Sequence, residues 1–252
     1  MDVRNALGLG AYRPKEAIES LRQYRRLLAT RFDNDRHRSK LTTADFLAHD
    51  LGCYWQKSGS CVFMLSGRNE RGVSLVKESW LSPVAVDMVL VLLSEDKKVI
   101  FEVCDETSTL ESVLSRLIFQ LLEKNPSVVR KVEEWYKIQS LLARHGSERD
   151  EALTEMLFEV IRLQKEPVFI ILDRPELSED HSVKDYALAM LHLAEKSDDE
   201  LKVLVVHRAD LWEWEENKKG VLWKGMSPDI CRAIRLDQRR LQYHEGLTIR
   251  AP

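Results

Sequence analysis

The 252-residue chain predicts an α/β fold: an open parallel sheet of about five strands with helices on both faces, and two N-terminal helices packed alongside. Three observations carry that prediction. Short, mainly apolar runs rich in β-branched and aromatic residues recur at 61–65, 99–104, 168–172 and 201–206, as strands buried on both faces require. Amphipathic helical patterns lie between them, so the strands pair in parallel through right-handed crossovers. The run Val168-Phe169-Ile170-Ile171-Leu172 leads directly into Asp173 and then Arg174-Pro175-Glu176. A carboxylate therefore stands at the carboxyl end of a central strand, where open α/β sheets bind ligands. The plainer role for such an Asp is to cap the turn that follows.

The elements follow in order. Pro14 opens an amphipathic helix of about four turns, with Ala17, Ile18, Leu21 and Leu28 on one side and Arg22, Arg25 and Arg26 on the other. Thr42-x-x-Asp45 resembles a capping box and starts a second helix, with Phe46, Leu47, Leu51 and Tyr54 as its apolar side, ending at Lys57-Ser58-Gly59-Ser60. Cys61 to Leu65 reads as the first buried strand. Ser82-Pro83 reads as N-cap and first residue of the helix through Val86, Val89, Leu90 and Leu93, and Val99 to Cys104 as the second strand. Three helices precede the Asp173 strand: one capped by Ser108-x-x-Glu111, one from Asn125-Pro126 to about Gly146, and one from Ser147-x-x-Asp150. A helix from Ser182 to Lys196 leads into the strand Leu201–Val206, which ends at His207-Arg208. Ile230 to Leu236 is a weaker fifth strand, and Trp212, Trp214 and Trp223 are expected to cover the sheet edge. The domain division is 1–57, a basic helical segment; 58–240, the α/β domain; and 241–252, a C-terminal tail.

Composition narrows the class. With 44% hydrophobic and 31% charged residues the chain is neither disordered nor fibrous. No apolar run approaches the ~18 residues of a membrane span, and Met1–Gly10 lacks a secretory pattern, so a cytoplasmic protein without a membrane partner is expected. Cys53, Cys61, Cys104 and Cys231 are too scattered for a zinc site or a disulfide framework, and the histidines show no metal spacing. Net charge is −3, yet residues 1–40 carry ten Lys/Arg against five Asp/Glu.

Gly67-Arg68-Asn69-Glu70-Arg71-Gly72-Val73-Ser74 has the spacing of a phosphate-binding P-loop: two glycines separated by four residues, then a hydroxyl residue two positions on. Val73 stands where the motif has lysine. The order strand, Gly-rich loop, helix, strand, helices, strand ending in Asp, helix, strand ending in Arg resembles the P-loop domain of STAND NTPases. It is most similar to the NACHT-type modules of filamentous-fungal proteins, over roughly residues 55–240. The resemblance implies ATP or ADP with magnesium as cofactor, with Gly67, Arg68, Arg71, Gly72, Val73 and Ser74 around the phosphates and Ser74 and Asp173 on the metal. It further implies Asp173 and Glu176 as the catalytic acids and Arg208 as a γ-phosphate sensor.

Val73 cannot supply the cation that faces a triphosphate, an interaction worth about 1.5–3 kcal/mol. Glu70 adds negative charge to the loop, and Ser82-Pro83 places the helix start beyond Ser74, away from the loop. The expectation is a degenerate NACHT-like domain that acts as a regulatory or scaffold module with a protein partner. Two alternatives stand beside it. One is an active magnesium-dependent ATPase or GTPase in which Arg68, Arg71 or Lys77 replaces the lost lysine. The other is a nucleic-acid-binding adaptor using the basic N-terminus, although the plainer meaning of such a charged helix face is solubility.

Overall fold

The structure is a computed structural model. It describes residues 3–33, 41–48, 50–57, 59–68, 79–126, 136, 138, 140–141, 144, 148–164, 166–178, 183–197, 201–208 and 231–237. Five strands form one sheet: β1 (Cys61–Arg68), β2 (Lys98–Val103), β3 (Val168–Asp173), β4 (Leu201–His207) and β5 (Cys231–Asp237). Their order is β2-β3-β4-β1-β5, and every pairing is parallel. The strands carrying residues 61–66 and 168–173 thus share one sheet, with β4 between them.

Side chains of a strand alternate between faces, and the apolar runs exploit this on both. Val62, Met64, Ile170, Leu172, Val203 and Val205 join one core, covered by α6 (Leu110–Lys124), α7 (Arg149–Arg162) and α8 (Val183–Lys196). Phe63, Leu65, Phe101, Ile171, Leu204 and Val206 join the other, covered by α2 (Pro14–Leu28), α3 (Thr43–Ala48), α4 (Asp50–Lys57) and α5 (Ser82–Ser94). The two expected N-terminal helices therefore lie on the α5 face of the sheet. A short α1 (Val3–Ala6) precedes them, and α2 runs on into a π-helical turn, Ala29–Asp33.

Several boundaries differ from the expected ones for identifiable reasons. The single helix expected from Thr42 is two. A Cβ at Gly52 would lie 1.9 Å from the Phe46 carbonyl oxygen, so α4 backs onto α3 too closely for any side chain there. The Thr42–Asp45 box forms as expected: Thr42 N–H donates to Asp45 Oδ2 at 3.1 Å and Asp45 N–H to Thr42 Oγ1 at 3.0 Å. The α6 box is displaced by one residue. Ser108 Oγ is taken by Asp105, so Thr109 caps Ser112, and Glu111 pairs with Arg149 instead at 3.1 Å. Most of the helix expected after Asn125-Pro126, and Trp212, Trp214 and Trp223, lie outside the described residues.

At the β2 edge, the amide of buried Gln120 bonds both polar groups of Phe101, accepting from its N–H at 3.1 Å and donating to its carbonyl at 2.8 Å. Lys124 Nζ donates to the Val99 carbonyl at 2.5 Å. Side chains from α6 thus satisfy backbone groups that an edge strand otherwise presents to other chains. At the opposite end of the fold, β1 extends beyond the expected Leu65 through Gly67 and Arg68, which are level with Leu236 and Asp237 of β5. A Cβ on Gly67 would meet Leu81 Cδ1 at 2.5 Å and Trp80 Nε1 at 2.8 Å, so this glycine lets the entry to α5 press against the strand.

Two outcomes follow for stability. Gln120→Ala strands two buried backbone groups and is expected to lower the unfolding free energy by about 1–3 kcal/mol in urea titrations and to promote self-association; unchanged stability would remove the edge-sealing role. Gly67→Ala is expected to cost about 1–3 kcal/mol through overpacking, and a neutral result would show that Leu81 and Trp80 yield without strain.

Candidate functional site

Asp173 ends β3, an interior strand flanked by β2 and β4, and is level with Val103 on one side and Val206 on the other. Its residue is 1% exposed. A carboxylate so buried requires polar partners, and they come from three separated parts of the chain. Ser82 Oγ, in the first turn of α5, donates to Asp173 Oδ1 at 2.9 Å. Tyr24 OH, on α2, reaches Asp173 Oδ2 at 3.5 Å. Arg174 Nε lies 3.6 Å from the same oxygen, and its guanidinium stacks 5.1 Å over the Tyr24 ring.

The backbone makes this arrangement possible. Arg174 adopts the left-handed conformation, φ 59° and ψ 47°, which is costly for a residue with a Cβ and is often found where a site constrains the chain. Its N–H still donates to Val206 O at 2.8 Å, continuing the ladder by one step before Pro175–Leu177 turns as a 3-10 helix. That turn carries Glu176 towards the end of β4. Glu176 Oε1 accepts the Arg208 N–H at 3.0 Å, while Oε2 is screened from solvent with no hydrogen-bond partner among the described residues.

Burial dominates the electrostatics. It raises Asp173 to about 6, against the lowering effects of Arg174, Ser82 and Tyr24. It raises Glu176 to about 8, with the Asp173 charge adding to it and the backbone N–H donors of Glu176 and Arg208 opposing. Burial also lowers His207 to about 4 and pushes the Cys104 thiol well above its ordinary range. Burial thus disfavours the charged form of every one of these groups, and of Glu176 more than of Asp173, which has Arg174, Ser82 and Tyr24 beside it.

Of the site residues named from sequence, the structure brings Asp173, Glu176 and Arg208 together. Gly67 and Arg68 sit in the last two positions of β1, two strands away across the sheet, roughly 10 Å at the usual strand spacing. Arg71, Gly72, Val73 and Ser74 lie outside the described residues. Three participants were not foreseen: Ser82, read as a helix cap; Tyr24; and Arg174. Leu81 holds the cap position of α5 instead, which leaves the Ser82 hydroxyl available to Asp173.

Asp173 and Ser82 together offer hard oxygen ligands, the type magnesium takes when substrate phosphates and water complete its shell. Among the described residues no group of three or more His, Cys, Asp or Glu gathers to hold a metal alone, and no helix is long and apolar enough to cross a membrane.

No curated protein matches the chain. A family model does: the one described as nephrocystin 3, N-terminal, matches residues 41–208. The match opens at the residue before the α3 capping box and closes on Arg208, and so takes in β1 to β4, the Asp173 strand and the Ser82 turn while leaving α2 outside. With more than half of its 252 residues inside that match, the chain belongs to the nephrocystin 3 N-terminal family.

Proposed function

We propose that the chain is a degenerate STAND-type, NACHT-like nucleotide-binding domain that hydrolyses NTP poorly or not at all and works in the cytoplasm as a regulatory or scaffold module for a protein partner. The observation that supports this reading is the state of Asp173. It occupies the position from which an open α/β sheet addresses a ligand, yet the chain's own donors from α2, α5 and Arg174 already surround it. Val73 adds no cation to the preceding loop. Burial raises Glu176 to about 8, which favours its protonated form and weakens it as a base towards water.

In this reading Asp173 and Ser82 would hold what remains of a magnesium site, with Ser82 in the role the family resemblance implied for Ser74. ATP or ADP with magnesium is the cofactor, weakly held. One second reading is an active ATPase or GTPase, which the place of Asp173 at the carboxyl end of an interior strand also supports.

Titration of the full chain with Mg-ATP in a calorimeter separates the two. The expected result is no binding tighter than millimolar, and an affinity gain of about tenfold or more in Val73→Lys, since one charged hydrogen bond is worth about 1.5–3 kcal/mol. Micromolar binding by the unaltered chain, abolished by Asp173→Ala, replaces the degenerate reading with the hydrolase.

The pH dependence of stability tests the protonated Glu176. Its folded value of about 8 lies above the ordinary 4.5, so the native state binds this proton more tightly than the unfolded chain does. That stabilisation is complete below pH 4.5 and is lost as pH rises through 8. Glu102, raised to about 7 by burial against the opposing Arg116, adds to the loss mainly below that pH. Between pH 7 and 8 the unfolding free energy is expected to fall by up to about 1.4 kcal/mol per unit, and Glu176→Gln to flatten most of that decline. A slope unaltered by the substitution would mean that Glu176 is already ionised.

A further inference from the structure

Helix α2 is placed over the site from outside the family match, and its attachment differs from that of α6 on the opposite face. Only Leu21 and Leu28 are buried along its fifteen residues, whereas α6 buries ten. Beneath its first half lies a cleft of about 510 Å³. On the helix side it is walled by Ala17, Ser20 and Tyr24, and on the sheet side by Phe101, Val103 and Arg174. The second half is tied down by polar contacts that converge on the Asp173 site. Arg25 Nε bonds Asp87 Oδ1 of α5 at 2.6 Å, and both side chains remain partly exposed, at 25% and 32%. One residue earlier, Tyr24 reaches Asp173 and lies under the Arg174 guanidinium. The same helix turn therefore grips α5, which carries Ser82, and covers the carboxylate that Ser82 binds.

We propose that α2 is a latch over the Asp173–Ser82 pair, held shut by Arg25 on Asp87 and Tyr24 on Asp173, and that releasing it opens these two oxygen ligands to a divalent cation. The proposal rests on the reading of that pair as the remnant of a magnesium site. The physical basis is a difference in attachment. Leu21 and Leu28 anchor α2 in the core beside α5, but with two buried side chains against the ten of α6 the helix draws a larger share of its attachment from directional polar contacts, which a charge change can weaken. When it lifts, Asp173 loses its Tyr24 contact and part of its cover, and the ionised carboxylate then gains from a cation what it previously gained from the tyrosine hydroxyl.

The test uses the full chain in four forms: unaltered, Arg25→Asp, the charge-swapped Arg25→Asp/Asp87→Arg, and Arg25→Asp/Asp173→Asn. Hydrogen exchange of α2 reports the latch, with α7 as the control for an intact fold, and Mn²⁺ binding by electron paramagnetic resonance reports the carboxylate. The expected result is faster α2 exchange in Arg25→Asp with α7 unchanged, and Mn²⁺ affinity tighter than in the unaltered chain by about tenfold or more. Both effects should reverse in the charge swap, and Mn²⁺ binding should be lost with Asp173→Asn. Unchanged α2 exchange overturns the latch whatever the site binds. Equal Mn²⁺ affinity in the unaltered chain and Arg25→Asp, removed by Asp173→Asn, overturns the latch while the cation reading stands. A released α2 without new Mn²⁺ binding overturns the cation reading and, with it, the proposed consequence of release.

Discussion

Placing one ionisable carboxylate inside the end of an apolar sheet imposes a requirement on everything around it. Asp173 lies at the last position of an interior strand and is almost wholly removed from water, which penalises its charged form unless donors replace the solvent. Each donor draws a separate part of the chain into place. Ser82 must begin α5 with its hydroxyl turned inward, and that is possible because Gly67 lets Trp80 and Leu81 press against β1. Tyr24 must hang from α2, and Arg174 must accept a left-handed backbone to bring its guanidinium back over the tyrosine ring.

The same economy of partners governs the β2 edge. Glu102 is buried there against Arg116 at 2.6 Å, and Arg116 stacks 5.6 Å over Tyr12, whose hydroxyl accepts from Gln120 at 2.8 Å. Gln120 in turn seals the Phe101 backbone. A polar network therefore joins the N-terminal segment to the sheet on one side, while Tyr24 and Arg25 join it to Asp173 and α5 on the other.

The fold was readable because its signals are local. Uninterrupted apolar runs have one economical solution, a strand covered on both faces, and the runs at 61–65, 168–172 and 201–206 each took it. Helix caps were readable to within a residue, since competition among neighbouring hydroxyls decides which one is used, as Ser108 and Thr109 show. At the strand ends the family resemblance named Asp173, Glu176 and Arg208, and in the structure the Arg208 backbone N–H reaches Glu176 one turn beyond Asp173.

The sequence by itself determined the strand and helix pattern and the carboxylate at the end of β3. Tertiary structure alone decided which groups hold that carboxylate. Ser82 and Tyr24 lie 91 and 149 residues from Asp173, and no periodicity or spacing connects residues so far apart. Their meeting follows from the order β2-β3-β4-β1-β5 and from the packing of α2 and α5 on one face, because a buried charge takes its partners from whatever the fold brings near.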